Sequence, residues 1–149
     1  GRENYPQYYD KNMQYNWGSA QVYKSGSDLT IVASGSTLIK ALEAHEELLK
    51  LGIQASVIHN AFVNHPDIST IGTELKKTKN KLITIEDHQL IGGMGSQLIQ
   101  QLKINGYEFE VKCLAIEGKF GQSAYKADHL YELHGLDTKS LIKAAKEMI

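Results

Sequence analysis

This sequence of 149 residues lacks several features that whole classes of protein require. Cys113 is its only cysteine, so no disulfide can form within the chain. No apolar run approaches the ~20 residues that a membrane-spanning helix needs, and no segment has the pattern of a signal peptide. Sixteen Lys and Arg stand against seventeen Asp and Glu, so the basic surplus of a nucleic-acid-binding surface is missing. We therefore expect a cytoplasmic protein that binds neither membranes nor nucleic acids.

Metal and thiol chemistry have little support either. His129 and His134 lie five residues apart, not at the spacing of four that places two ligands on one helical face. There is no cysteine cluster, so we predict no metal site. Cys113 lies in the apolar stretch 111–116, which is typical of a buried strand, and a thiol there behaves as a small hydrophobic side chain.

What is present is an alternation of strand and helix signals after residue 18. Short β-branched runs are separated by stretches with helical periodicity, which is typical of βαβ units and a mainly parallel sheet. Two glycines stand where helices are expected to end, Gly52 and Gly135. Other residues are expected to cap the starts of three helices: Ser36 or Thr37 for the first, Asp67 for the second and Asp137 for the last. The predicted strands are residues 20–23, 28–33, 53–58, 81–86 and 109–116.

These elements predict an α/β fold with three layers, α/β/α, around a mixed sheet of about five strands. The loop 24–27 is short enough for a hairpin, so the first strand is expected to be an antiparallel edge strand while the rest are parallel. Residues 1–17 are polar and aromatic without a clear period, and we interpret them as an arm that precedes a domain of residues 18–149.

The most informative stretch is residues 84–96. A strand ends at Glu86, Asp87 and His88, and Gly92, Gly93, Gly95 and Ser96 then open a helix. Ligands of open α/β sheets bind outside the carboxyl ends of strands, and exposed amides at a helix start can hold an anion. The spacing matches neither a dinucleotide fingerprint, nor a phosphate loop, nor a nucleophile elbow. The simpler interpretation is that the glycines let the helix pack closely against the sheet or a partner. His88 fits a buried polar anchor better than a functional group.

Several segments, in the right order over nearly the whole chain, resemble the C-terminal domain of transketolases. The Glu-Asp-His strand end that runs into Gly-Gly-x-Gly-Ser is one of them. The others are residues 27–35, residues 52–58 with Pro66-Asp67, residues 120–124, residues 129–131 and Gly135-Leu136. The same type of domain closes 1-deoxyxylulose-5-phosphate synthases and the beta subunits of 2-oxo acid dehydrogenases, but residues 86–88 and 120–124 favour transketolase.

The resemblance implies an enzyme that uses thiamine diphosphate and Mg²⁺ (or Ca²⁺) to transfer a two-carbon ketol unit between sugar phosphates. In that family the cofactor lies in other domains, while the C-terminal domain packs against the rest of the subunit and helps to form a homodimer. This chain would then hold no cofactor and no catalytic residue, and the turn at Gly92, Gly93 and Gly95 would be an interface element.

Arg2 is the one exception that the resemblance suggests. Arg2-Glu3-Asn4 is similar to the Arg-x-Asn that closes the family's middle domain, where the arginine binds the substrate's phosphate. A guanidinium suits this task because its planar fork donates two hydrogen bonds to phosphate. Two other interpretations stay open: a naturally split transketolase, and a stand-alone module that binds a small anion or a protein through residues 86–96.

Overall fold

The five strands form one mixed sheet in the order β1-β3-β2-β4-β5. This description comes from a computed structural model and covers residues 6–8, 12–120, 122–124 and 126–149. The prediction for Arg2 lies outside these residues and stays a prediction. The elements are β1 Gln21–Lys24, β2 Leu29–Ala33, α1 Thr37–Lys50, β3 Ala55–His59, α2 Ile68–Lys77, β4 Lys81–Gln89, α3 Met94–Ile104, β5 Glu110–Ile116, α4 Ala127–His134 and α5 Thr138–Lys146.

Helices cover both faces of the sheet, which confirms the predicted three-layer architecture. One core joins alternate residues of β2, β3 and β4 to α1, α4 and α5. The other core joins the opposite faces of the same strands to α2 and α3. Because side chains alternate across a strand, a strand buried on both faces needs an almost continuous apolar run, and all five residues of β2 are buried.

The antiparallel edge strand is confirmed, but the predicted hairpin is wrong. β1 pairs antiparallel with β3, and β2 pairs parallel with β3 on the other side. The connection crosses the start of β3, where the amides of Ser27 and Asp28 both donate to the Gln54 carbonyl oxygen. A Cβ on Gly26 would stand 2.3 Å from that oxygen, so only glycine permits the crossing.

Most of the predicted helix ends are confirmed. Gly52 and Gly135 adopt positive φ angles after α1 and α4, as left-handed end residues do. Asp67 accepts a hydrogen bond from the Thr70 amide, and Asp137 accepts one from the Lys139 amide. At α1 the predicted cap position is confirmed, since Ser36 is the N-cap residue, but its side chain caps no amide and bonds to Asp87 instead.

The connections of the sheet diverge between β2 and β4. The chain leaves β2 through α1 towards β3, and it leaves β4 through α3 towards β5, on the opposite side. The connections that follow β2 and β4 therefore run in opposite directions from the carboxyl edge of the sheet. Such a topological switch point is where open α/β sheets place ligands.

Candidate functional site at the carboxyl edge of the sheet

The glycine turn places the start of α3 against a buried carboxylate. The amides of Met94 and Gly95 donate to the two oxygens of Glu86, at 2.6 Å to Oε2 and 2.8 Å to Oε1. Glu86 is 2% exposed. The positive end of the helix dipole and two amides of the first turn thus surround an anion that the chain itself supplies. An external anion at this helix start would have to displace Glu86.

The glycines at this turn are needed for close approach. A Cβ on Gly93 would stand 2.4 Å from the Gln89 carbonyl oxygen and 2.5 Å from Oε2 of Glu86. A Cβ on Gly95 would stand 2.5 Å from Oγ1 of Thr84. The predicted close packing of this helix against the sheet is therefore what the geometry shows.

Ser96 closes the same turn. Its hydroxyl accepts a hydrogen bond from the Gly92 amide and donates one to the Gly93 carbonyl oxygen, both at 3.0 Å. Because its hydrogen bonds are used within the turn, Ser96 stabilises the loop between β4 and α3.

Asp87 follows Glu86 on β4 and faces the other side of the sheet. Its Oδ2 accepts hydrogen bonds from Ser36 Oγ at 2.9 Å and from the Tyr131 hydroxyl at 3.2 Å. The two hydroxyl oxygens are themselves 2.7 Å apart. Asp87 is exposed and Tyr131 is buried, so this cluster joins the start of α1 to the middle of α4 at the rim of the sheet.

The sequence patterns do not predict Ser36 and Tyr131 as members of this site. They are 95 residues apart in sequence, and the position of Ser36 suggests only a helix cap. One available signal is the helical spacing of Ala127, Leu130, Tyr131 and His134, which places all four on one face of α4.

Two other expectations about single residues are wrong. His88 is exposed rather than buried, because β2 pairs with β4 only as far as Ile85 and the residues beyond it have no paired strand on that side. Cys113 is half-buried, since β5 is the edge strand of the sheet. A histidine that the sequence patterns do not single out, His59, does lie in the interior at the end of β3, where burial lowers its pKa.

The start of α3 does not fit a diphosphate, and the described residues include no cluster that fits a metal ion. No group of three or more His, Cys, Asp or Glu side chains within the described ranges could hold a metal ion. The amides that could bind phosphate at α3 already donate to Glu86. In the same part of the chain, no helix has the length and apolar character needed to cross a membrane.

Large apolar side chains protrude near this edge. Ile91, at the tip of the glycine turn, is 90% exposed, and Phe120, in the loop after β5, is 95% exposed. Trp17 is 86% exposed and packs edge-on against Phe62, with ring centroids 4.8 Å apart. Exposed apolar side chains that lie together in one patch are typical of surfaces that contact another protein.

Comparison with known proteins agrees with this geometry. The family model for the transketolase C-terminal domain matches residues 18–141. The chain belongs to the transketolase C-terminal domain family. A transketolase C-terminal section from Methanocaldococcus jannaschii is 33% identical over 138 residues, which cover 93% of this chain and 42% of that protein. A solved "split gene transketolase, inactive beta4 tetramer" superposes with a TM-score of 0.90 at 30% identity, over 99% of this chain and 48% of that one.

Other relatives carry the same domain in different enzymes. The 1-deoxy-D-xylulose-5-phosphate synthase of Desulfitobacterium hafniense is 32% identical over 132 residues, or 88% of this chain and 20% of that enzyme. One subunit of the apulose-4-phosphate transketolase of Phocaeicola vulgatus is 27% identical over 150 residues, which cover all of this chain and 47% of that subunit. This transketolase C-terminal domain therefore spans less than half of each of these relatives.

Proposed function

We propose that this chain supplies the C-terminal domain of a thiamine-diphosphate-dependent transketolase, which transfers a two-carbon ketol unit between sugar phosphates. The observation that carries the proposal is the family match over residues 18–141. The likeness to a C-terminal section and to a split-gene transketolase supports the same assignment, because both align with almost all of this chain.

In this proposal the chain alone is inactive. Its conspicuous carboxylates serve the fold: Glu86 holds the start of α3, and Asp87 joins α1 to α4. Thiamine diphosphate and Mg²⁺ (or Ca²⁺) would bind to the remaining domains or subunits of the enzyme. Arg2 would contribute a phosphate contact to the sugar substrate at the junction with those domains.

The proposed role is to pack against the remaining domains and to help form a homodimer in the cytoplasm. The buried part of the glycine turn, Glu86, Gly93 and Gly95, would hold its tip rigid, and Ile91 at the tip would contact the partner. The 90% exposure of Ile91 supports this role, since an isoleucine gains free energy when a partner covers it. Residues 1–17 would be the tail of the preceding domain and residues 18–149 the domain itself, which the start of the family match at residue 18 supports.

A reconstitution assay tests the proposal. Ketol transfer from xylulose 5-phosphate to ribose 5-phosphate is measured with thiamine diphosphate and Mg²⁺, for this chain alone and mixed with transketolase N-terminal and middle domains that lack their own C-terminal domain. We expect no turnover alone, and activity or stabilisation of the partner on mixing. Turnover by the chain alone, or no effect on the partner, would contradict the proposal.

A matched pair of variants locates the contact. Ile91→Glu changes the tip of the glycine turn, and Ile104→Glu changes an isoleucine that is 70% exposed at the other end of α3. Ile91→Glu should weaken the effect on the partner at least tenfold, while Ile104→Glu should leave it unchanged. Equal effects of the two substitutions would remove the glycine turn from the interface.

A 1-deoxyxylulose-5-phosphate synthase is the second candidate, because relatives of that name match 88% of this chain at up to 32% identity. The same mixing experiment with the truncated synthase distinguishes the two. Formation of 1-deoxyxylulose 5-phosphate, with no rescue of ketol transfer, would favour the synthase.

A further inference from the structure

A cavity lies beside the switch point, on the face of the sheet that carries Asp87. Its volume is 260 Å³, slightly below the ~300–1,000 Å³ of sites for drug-sized ligands. Apolar walls come from the end of β5 and the loop after it, from α4 and from the turn after α4, while Asp87, Tyr131 and two glutamines, Gln89 and Gln122, contribute polar atoms. The apolar wall residues are Ile116, Phe120, Ala127, Leu130 and Leu136.

The hydrogen-bond pattern around Asp87 decides what this cavity can hold. Within the described residues, only Ser36 and Tyr131 donate to Asp87, and both bind Oδ2. Each hydroxyl is within hydrogen-bond distance of Asp87 Oδ2 and of the other hydroxyl, and either of the two can donate to the other. Asp87 therefore offers a ligand a negative charge and, on Oδ1, an acceptor that no described residue uses.

Among the described residues, two other side chains at the cavity can carry a positive charge. Lys119 and His134 also line it. Lys119 is exposed on the turn after β5, so its long side chain can keep its charged end in water. The carboxylate of Asp87, in contrast, is fixed in place by its two hydroxyl donors.

We propose that this cavity binds a small organic ammonium ion: a primary amine on an apolar body of about ten non-hydrogen atoms, such as an arylalkylamine. The ammonium group donates to Asp87, with charge-assisted bonds that are stronger than neutral ones. The apolar body lies against the walls formed by β5 and α4. This inference stands apart from the proposed transketolase role, since it needs no partner domain.

Isothermal titration calorimetry tests the inference. The 149-residue chain is titrated with three probes that share a phenyl ring and a short alkyl chain but differ in charge. The probes are 2-phenylethylamine, the neutral 2-phenylethanol and the anionic 3-phenylpropanoate. The amine should bind with a Kd of about 1 mM, typical for a ligand of this size. The alcohol should bind at least ten times more weakly, and the carboxylate should not bind measurably.

Three variants connect the preference to the cavity. Asp87→Asn keeps the shape of the side chain and should weaken amine binding about tenfold, so that amine and alcohol become equal. Asp128→Asn is the matched control, because Asp128 also lies on this side of the protein but pairs with Lys40, and it should change nothing. Ala127→Leu fills the apolar wall and should abolish binding of amine and alcohol alike. Thermal melting verifies that each variant is folded.

Some outcomes would overturn the inference. They are no amine binding at about 10 mM, ten times the expected Kd, equal binding of amine and alcohol by the unchanged chain, or a preference for the amine that survives in Asp87→Asn. The first would also follow if the cavity instead receives a side chain of a partner subunit.

Discussion

Glu86 and Asp87 are neighbours on one strand, yet they lie in opposite environments. Successive side chains of a strand point to opposite faces, so Glu86 meets α3 and Asp87 meets α1 and α4. Glu86 is buried and both of its oxygens accept hydrogen bonds from amides, whereas Asp87 is exposed and, within the described ranges, only its Oδ2 accepts hydrogen bonds. The comparison separates a carboxylate whose two oxygens both hold the fold from one that holds it through Oδ2 and would meet the proposed ammonium ion with Oδ1.

The largest expected effect comes from removing the buried member. Glu86→Ala leaves the amides of Met94 and Gly95 without their acceptor, and each unsatisfied buried donor costs about 1–3 kcal/mol. We expect the free energy of unfolding to fall by about 3–5 kcal/mol, a large part of the ~5–15 kcal/mol of a typical domain. Urea unfolding followed by circular dichroism measures it.

Asp87→Ala is the matched control for that substitution. It removes one exposed and one part-buried hydrogen bond at the rim of the sheet, so its cost should stay near ~1 kcal/mol. Equal losses for Glu86→Ala and Asp87→Ala would contradict the division of roles between the two carboxylates.

Two glycines of the turn after β4, Gly93 and Gly92, test whether close packing or backbone conformation requires glycine there. Gly93→Ala brings a Cβ to 2.4 Å from a backbone oxygen although its φ of −75° suits any residue, so its whole cost is steric. Overpacking of this kind costs about 1–3 kcal/mol, and we expect a loss of about 2–3 kcal/mol. Thermal and urea unfolding should agree on its size.

Gly92→Ala provides the contrast. Gly92 has a φ of +82°, and no atom lies within 4 Å of the position that a Cβ would take, so alanine meets only backbone strain of about 1 kcal/mol. If Gly92→Ala were the costlier of the two, conformational freedom and not close packing would explain why glycines occupy this turn.

Much of the fold, but less of the site, could be predicted from the sequence. Local signals such as the Asp67 cap and the left-handed Gly52 depend on neighbours in the chain, and they predict helix ends correctly. The partner of β1 depends on a crossing at Gly26 that only the tertiary structure reveals. The bond between Ser36 and Tyr131 joins residues 95 positions apart, which no local pattern reports. Residues 86 and 87 look like one acidic group in the sequence, because it does not say which helix covers which face of β4.

Asp67 is a third carboxylate, intermediate in burial between Glu86 and Asp87. Apart from the control substitutions, its replacement is expected to lower the free energy of unfolding least. Burial alone would raise its pKa, but hydrogen bonds from the amides of Thr70 and Ala20 outweigh burial and lower the pKa. Asp67→Asn keeps one acceptor and loses the other, so it should cost about 1–2 kcal/mol at about pH 7.

The pH dependence of that loss separates charge from shape. A carboxyl group whose pKa is lower in the folded state stabilises the fold above its unfolded pKa of 3.8, and this contribution disappears as the pH falls through the folded value. The difference in unfolding free energy between the unchanged chain and Asp67→Asn should therefore hold from about pH 7 to about pH 5 and shrink below about pH 4. The difference could instead stay constant down to about pH 2, below the pKa of ordinary carboxyl groups. In that case the acceptor geometry of Asp67, and not its charge, would stabilise the start of α2.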